Sequence, residues 1–114
     1  MATPDPEELA RIAAAFRDAN ESIEAVADEV AALETFPVIC ECADTTCLLV
    51  MHVSRDDYEH ARGGGAVFIN ARGHERPFAH VLRVVAERDN YVLVEKLGRA
   101  AEVSEQLDPR REPH

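Results

Sequence analysis

The residues Cys40-Glu41-Cys42-Ala43-Asp44-Thr45-Thr46-Cys47 contain all three cysteines of a 114-residue chain. Thiolates are soft ligands that suit zinc, and three of them leave one position of a tetrahedron for a fourth ligand. In the spacing C-x-C-x4-C, a short loop turns the third sulfur back towards the first two. The stretch therefore predicts one bound Zn²⁺, which would help a domain of this size to fold.

Apolar segments flank the cysteines on both sides. Phe36 to Ile39 precedes them, and Leu48 to Val53 follows them. The proline at position 37 pushes Phe36 out of the helical region, so the first segment begins as extended chain. We therefore predict a hairpin with the cysteine loop at its tip.

The fourth metal ligand has to come from elsewhere in the chain. His74 is the favoured candidate, because it follows Gly73 in a polar turn that can aim a ring nitrogen freely, and Glu75 is placed to orient that ring. His52 near the end of the second strand, a carboxylate such as Asp44, and a water molecule remain alternatives. The other histidines are weaker candidates: His60, His80 and His114.

Two other interpretations of the cysteines stay open. The cysteines can be small buried apolar residues, because Cys40 and Cys42 share one face of a strand. They can also serve redox or iron–sulfur chemistry. A cytosolic redox pair usually has the form C-x-x-C within a βαβ pattern, however, and this chain has neither.

The first third of the chain is predicted to be one helix, residues 4–34, with prolines and acidic residues in its first turn. Its apolar residues alternate at spacings of three and four: Leu9, Ile12, Phe16, Ala19, Ile23, Val26, Val30 and Leu33. Such a stripe packs on the helix's own domain, or forms a coiled-coil seam, or docks on a partner. A helix of about 30 residues is about 45 Å long, so part of the stripe is expected to overhang the globule.

The rest of the chain alternates short strands and helices. Ser54 is a good N-cap for the first of these helices. The predicted elements are a helix over Arg55 to Arg62, a strand over Ala66 to Ile69, a hairpin formed by Val81 to Glu87 and Tyr91 to Val94, a helix over Ala100 to Leu107, and a frayed tail from Asp108 to His114. We predict one α+β domain over residues 1–114. Its long N-terminal helix precedes a compact body, residues 36–107, built on a small, mostly antiparallel sheet with a metal-stapled hairpin.

The charge of the chain restricts its partners. The formal net charge is −10, from 22 acidic and 12 basic residues. Phosphate backbones and anionic membrane surfaces repel such a chain, so we expect no nucleic-acid binding and no membrane binding. The N-terminus has no apolar targeting segment, so the expected compartment is the cytoplasm, where thiols stay reduced.

The sequence has no convincing catalytic constellation. Asp56 and Asp57 are adjacent and point in different directions, and Ser54 lacks the G-x-S-x-G context of a nucleophile. We therefore expect a non-enzymatic, acidic zinc-binding module that serves in protein interaction or regulation. It would contact another protein, or a second copy of itself, through the N-terminal helix. The alternative is a thiol-based redox or metal sensor that uses the clustered cysteines.

Four motifs of this chain resemble a group of small uncharacterised bacterial proteins, mainly actinobacterial. The group has the patterns F-x-C-E-C-A-D-x-x-C, E-Y-E-x-V-R, P-G-H and Y-x-V-V-E-K. Their counterparts here are Cys40 to Cys47, Asp57 to Arg62, Gly73-His74, and Tyr91 to Lys96. The resemblance covers roughly Phe36 to Pro109, and an N-terminal helix is similar in kind.

The resemblance implies that His74 is the partner of the cysteines. The chain departs from the group at Arg72, where the group has a proline before the glycine. It also departs at Gly63 to Gly65, where the group has a stiffer loop. The resemblance implies no particular activity.

Overall fold

Helices and short antiparallel strands alternate along the chain in the computed structural model, which describes residues 5–28 and 34–111. The elements in chain order are α1 (Pro6–Asp28), β1 (Thr35–Ile39), β2 (Val50–Ser54), α2 (Arg55–Arg62), β3 (Val67–Ala71), a 3₁₀ turn (Arg76–Phe78), β4 (Leu82–Glu87), β5 (Tyr91–Lys96) and α3 (Gly98–Gln106). The predicted α+β class, with a long helix before antiparallel strands, is confirmed.

The strands form two sheets, where the sequence suggested one. β1 and β2 pair as an antiparallel hairpin in which Ile39 lies opposite Val50, and β3, β5 and β4 form a second sheet in that order. The two sheets meet just beyond the end of β1, where the backbone N–H of Glu41 donates to the carbonyl of Ile69 on β3 at 2.8 Å. The cysteine segment therefore connects the hairpin to the edge of the three-stranded sheet.

The three-stranded sheet lies between two apolar layers. On one face, Phe68 of β3 packs with Val94 of β5 and with Ala13 of α1. The opposite face packs against the hairpin and α2, where the rings of Phe36 and Tyr58 meet edge to face with centroids 5.2 Å apart. This second layer also contains Cys40 and Cys42, so the cysteine loop starts from the core.

Helix α1 packs on the domain through small and polar residues. Small alanines allow the helix to approach the sheets closely, and the polar side chains reach groups in the interior. The buried residues of this face are Ala10, Ala13, Ala14, Arg17, Asn20, Glu24 and Ala27.

The predicted apolar stripe lies one position round the helix from this buried face. Leu9 is buried and Ile23 is half-buried, whereas Val26 is 65% exposed. Val30 and Leu33 lie outside the described residues. The helix therefore lies on its own domain, and one flank of the stripe faces outward.

The ends of two elements differ from the sequence-based expectation. Helix α3 begins at Gly98, which has φ 57°, two residues before the predicted start at Ala100. The residues after α3 are held and are not frayed up to Arg111: Asp108 pairs with Arg62, and the Arg110 guanidinium bonds to Glu21 of α1 at 2.5 and 3.0 Å. By contrast, α2 has its predicted bounds, and the Ser54 hydroxyl caps it.

Within the described ranges, no helix is both long enough and apolar enough to cross a membrane.

Candidate metal centre

The loop that carries the cysteines is shaped by its own hydrogen bonds. The backbone N–H of Cys40 donates to the carbonyl of Leu49 at 2.8 Å, which continues the hairpin ladder beyond β1 and β2. The Asp44 side chain then accepts from the backbone N–H of Thr46 at 2.9 Å and from its hydroxyl at 2.6 Å. The N–H of Cys47 donates to the Asp44 carbonyl at 3.0 Å, so the loop turns back and brings Cys47 towards the other two sulfurs.

His74 reaches the same place from a turn that follows β3. Its backbone N–H donates to the carbonyl of Ala71 at 3.0 Å, and Gly73 adopts φ 90°, a conformation that favours glycine. The Glu75 carboxylate accepts from the N–H of Gly73 at 2.8 Å. In the described residues this carboxylate makes a hydrogen bond to the backbone of the turn and none to the His74 ring, so Glu75 shapes the turn that carries His74.

The three thiols and the imidazole converge on one point. The ligand atoms of Cys40, Cys42, Cys47 and His74 all lie within 4.8 Å of one another. The Nδ1 atom of His74 lies 3.7 Å from the sulfur of Cys40, 3.9 Å from that of Cys42 and 3.4 Å from that of Cys47. In a tetrahedron, zinc bonds of about 2.3 Å to sulfur and about 2.0 Å to nitrogen place a sulfur and a nitrogen roughly 3.5 Å apart and two sulfurs roughly 3.8 Å apart. The four residues can therefore hold a metal ion with little rearrangement.

The alternative ligands named from the sequence lie elsewhere. His52 is exposed on β2 opposite Pro37, and His60 and His80 are exposed as well, while His114 lies outside the described residues. Asp44 is exposed and uses its carboxylate within the loop. Among the residues that the structure describes, none of these side chains joins the four-residue cluster.

The three thiols differ in how readily they lose a proton. A hydrogen bond from the Cys40 thiol lowers the pKa of Cys42 to about 5, and the backbone N–H of Asp44 supports the same charge. That hydrogen bond, together with burial, raises the pKa of Cys40, and burial raises the pKa of Cys47. Without a cation, the cluster thus favours one thiolate, at Cys42. A cation would have to draw off the other two protons.

Each sulfur also has a backbone N–H donor. The N–H of Ala71 on β3 donates to the Cys40 sulfur at 3.2 Å. Backbone hydrogen bonds from Asp44 and Leu49 likewise stabilise the thiolates of Cys42 and Cys47. Donors of this kind surround ligand sulfurs in metal sites and stabilise their negative charge. These contacts involve the backbone, so no side-chain pattern in the sequence indicates them.

The sequence analysis did not identify two buried polar residues that support the cysteine loop. Glu41, fully buried between two cysteines, accepts hydrogen bonds from Asn20 of α1 at 2.8 Å and from the N–H of Ile69 at 2.9 Å. Asn20 also bonds both backbone groups of Ile39, each at 2.8 Å. Burial raises the pKa of Glu41 to about 7 although these donors oppose the rise. In the sequence, Asn20 falls among the alanines that recur along the buried face of α1, and this position could have indicated that Asn20 is buried.

Comparison of the chain with protein-family models, with curated proteins and with solved structures finds no match. The resemblance to small actinobacterial proteins therefore stays a prediction.

Proposed function

We propose that this protein binds one zinc ion through Cys40, Cys42, Cys47 and His74, and that it is a non-enzymatic module that contacts another protein. The observation that carries the proposal is the convergence of the four ligand atoms within 4.8 Å. Three thiolates and one imidazole form a common tetrahedral ligand set for structural zinc. Harder ions such as Mg²⁺ and Ca²⁺ prefer oxygen ligands, which this cluster lacks.

The ligand set favours a structural ion over a catalytic one. Four protein ligands complete a tetrahedron, whereas catalytic zinc keeps one position for water or substrate. The backbone N–H groups at the sulfurs also reduce the reactivity of the thiolates. An ion here would join the loop at the tip of the β1–β2 hairpin to the turn after β3, and so would fasten the two sheets together.

Exposed apolar side chains support a role in protein contact. Leu48 and Leu49, directly after the last cysteine, are 72% and 48% exposed, and Val26 on α1 is 65% exposed. An ion bound to Cys47 would fix the segment that carries both leucines. Because the chain has a net charge of −10, a partner with basic residues around an apolar centre would fit this surface.

Metal content tests the proposal directly. Protein purified under reducing conditions without chelators should contain about one zinc ion per chain. A strong chelator should lower its melting temperature by several degrees, because metal binding contributes to the free energy of folding in small domains. Elemental analysis that finds no metal would contradict the proposal.

A second candidate function is a thiol-based sensor, and the exposure of Cys47 favours it. Cys40 and Cys42 are buried, whereas Cys47 is half-buried and so is the sulfur nearest to solvent. Hydrogen peroxide would take two electrons from two of the thiolates to form a disulfide and, with two protons, two water molecules. Zinc release by stoichiometric peroxide, reversed by a thiol reductant, would support the sensor. Retention of the ion would support the structural role.

A further inference from the structure

Strand β2 lies at the edge of its sheet and leaves one side of its backbone unpaired. Residues of an antiparallel pair alternate between positions that bond to the neighbouring strand and positions that do not. The hydrogen bond from the N–H of Cys40 to the carbonyl of Leu49 fixes this alternation in the hairpin. Val50 and His52 therefore point their N–H and C=O groups away from β1. Within the described residues, these groups have no hydrogen-bond partner.

Other parts of the chain cover the edges of β1 and β3. On the outward side of β1, Pro37 has no N–H, and the Asn20 side chain bonds to both backbone groups of Ile39 at 2.8 Å. On the outward side of β3, the carbonyl of Ile69 accepts from the N–H of Glu41 at 2.8 Å. The N–H of Ile69 donates to the Glu41 carboxylate at 2.9 Å. At these positions neither edge can bond to a further strand.

The edge of β4 carries features by which proteins prevent strands of different molecules from pairing. It includes the charged residues Arg83 and Glu87, and a bulge between Val84 and Ala86 interrupts its pairing with β5. The edge of β2 has none of these features. Residues 45–54 contain no Asp, Glu, Lys, Arg or Pro, although 30% of the chain is charged. An unprotected edge of this kind favours pairing with a further strand.

The charge of the chain indicates a second copy of this protein as the source of that strand. Each copy has a net charge of −10, so two copies repel each other over most of their surface and can approach most easily at an uncharged edge. Val50 is 52% exposed at this edge, His52 is exposed, and Leu48 just before the strand is 72% exposed. A strand that pairs antiparallel with itself also supplies matching donors and acceptors across a twofold axis.

We infer that β2 pairs antiparallel with β2 of a second copy, so that two hairpins form one continuous sheet. Such a dimer goes beyond the proposed function and requires no bound metal ion. A strand of five residues buries less than the roughly 800 Å² per copy of a standard protein interface. The dimer should therefore depend on concentration, with a dissociation constant between about 1 μM and about 1 mM.

Sedimentation equilibrium of the full chain over this concentration range, with zinc and a thiol reductant present, would measure the dimer. Val50→Lys should raise the dissociation constant about tenfold or more, because a lysine at an edge opposes pairing and the twofold axis places the change twice. Val84→Lys is the matched control, because Val84 is 41% exposed on the edge strand β4 and the substitution makes the same change in net charge. Val26→Asp tests the exposed flank of α1. Both controls should leave the dissociation constant unchanged.

Amide hydrogen exchange followed by NMR would locate the contact in the wild-type protein. In the monomer, the N–H groups of Val50 and His52 face outward and should exchange quickly, whereas those of Met51 and Val53 bond to β1 and are protected. In the dimer, the second copy should accept from the N–H groups of Val50 and His52. Their exchange should therefore slow about threefold or more as the protein concentration rises through the dissociation constant.

The outcomes separate this contact from zinc binding. A monomer throughout the concentration range would overturn the inference, and it would leave the proposed metal site intact. A dimer that Val50→Lys does not weaken, or that either control weakens to the same extent, would place the contact elsewhere and would also overturn the inference. So would a dimer in which the amides of Val50 and His52 still exchange quickly, and this last result requires no variant to fold.

Discussion

The sulfur of Cys42 interacts by hydrogen bonding with the thiols of Cys40 and Cys47 and lies 3.9 Å from Nδ1 of His74. Replacing Cys42 with serine substitutes a weakly binding hydroxyl for a thiolate and leaves two sulfurs. We expect Cys42→Ser to lose the metal during gel filtration, as measured by elemental analysis. His52→Ala is the matched control, because His52 is exposed on β2, and it should retain the full metal content.

His74 supplies the one ligand that comes from outside the cysteine loop. His74→Ala leaves three thiolates and opens a position for water, so we expect weaker binding without complete loss. Affinity measured by zinc competition should fall, and the absorption spectrum of the Co²⁺-substituted variant should change with the ligand set. An affinity equal to that of wild type would show that the ring is not a ligand.

At the level of single residues, the sequence predicted much of the candidate site. The three cysteines are close in sequence, so their proximity required no knowledge of the fold, and Gly73 marked His74 as adjustable. The hydrogen bond between the Glu75 carboxylate and the N–H of Gly73 could not be predicted, because it depends on the conformation of the turn.

Two residues of the apolar stripe of α1 test which part of the stripe packs against the domain. Ile23 is half-buried and packs against the main core, whereas Val26, one turn further on, is 65% exposed. Ile23→Asp should lower the melting temperature by several degrees, because it places a charge against apolar groups. Val26→Asp should leave the melting temperature unchanged. Light scattering on both variants would also show whether either change alters the apparent mass, as loss of a self-contact would.

The apolar stripe of α1 also shows which features of the elements the sequence did not predict. Alternating spacings of three and four correctly predicted a helix, yet the helix packs through a parallel row one position away. That row contains alanines and polar residues, and its polar members are buried because Arg17 and Asn20 find backbone carbonyls in other elements. Those partners are distant in sequence. By contrast, the bounds of α2 depend on the local cap at Ser54 and were predicted correctly.

Asp57 links α2 to the β4–β5 hairpin and gives the fold a pH dependence. It accepts two hydrogen bonds from Arg88, at 2.9 and 3.0 Å, and another from the Tyr91 hydroxyl. The guanidinium of Arg88 and the Tyr91 hydroxyl hold the pKa of Asp57 below its usual value of 3.8. An acid with a lowered pKa in the folded state stabilises the fold above its unfolded pKa, and this contribution is lost as the pH falls through the folded pKa.

We therefore expect Asp57→Asn to destabilise the protein by about 1 kcal/mol at pH 7, because the substitution replaces the charged acceptor of the Tyr91 hydroxyl with a neutral one. The difference from wild type should shrink below about pH 4, as the wild-type carboxylate itself becomes protonated. Urea unfolding across this pH range would measure both effects. Asp56→Asn is the control, because Asp56 is exposed and adjacent in sequence. A difference that stays constant with pH would contradict the electrostatic account.

For the molecule as a whole, the candidate centre lies at the junction of its two sheets. Protein groups already join the sheets there, through the bond from Glu41 N–H to Ile69 and through Asn20, which holds both Ile39 and Glu41. An ion would add a second connection, between the hairpin tip and the turn after β3. We infer that removing the metal loosens this junction locally, while the layers on either side of β3, β5 and β4 keep their packing.

Hydrogen exchange followed by mass spectrometry would locate the effect of metal removal. We expect faster exchange after chelation in residues 42–49 and 72–75, because the ion is the connection between these two segments. Exchange in α3 and β5 should change little, since neither supplies a ligand. Cys42→Ser provides the matched control: it should exchange like chelated wild type, and added zinc should not slow it. Uniform acceleration along the chain would contradict a local role and would indicate that the ion supports the whole fold. Unchanged exchange at the two segments would indicate that the ion does not connect them.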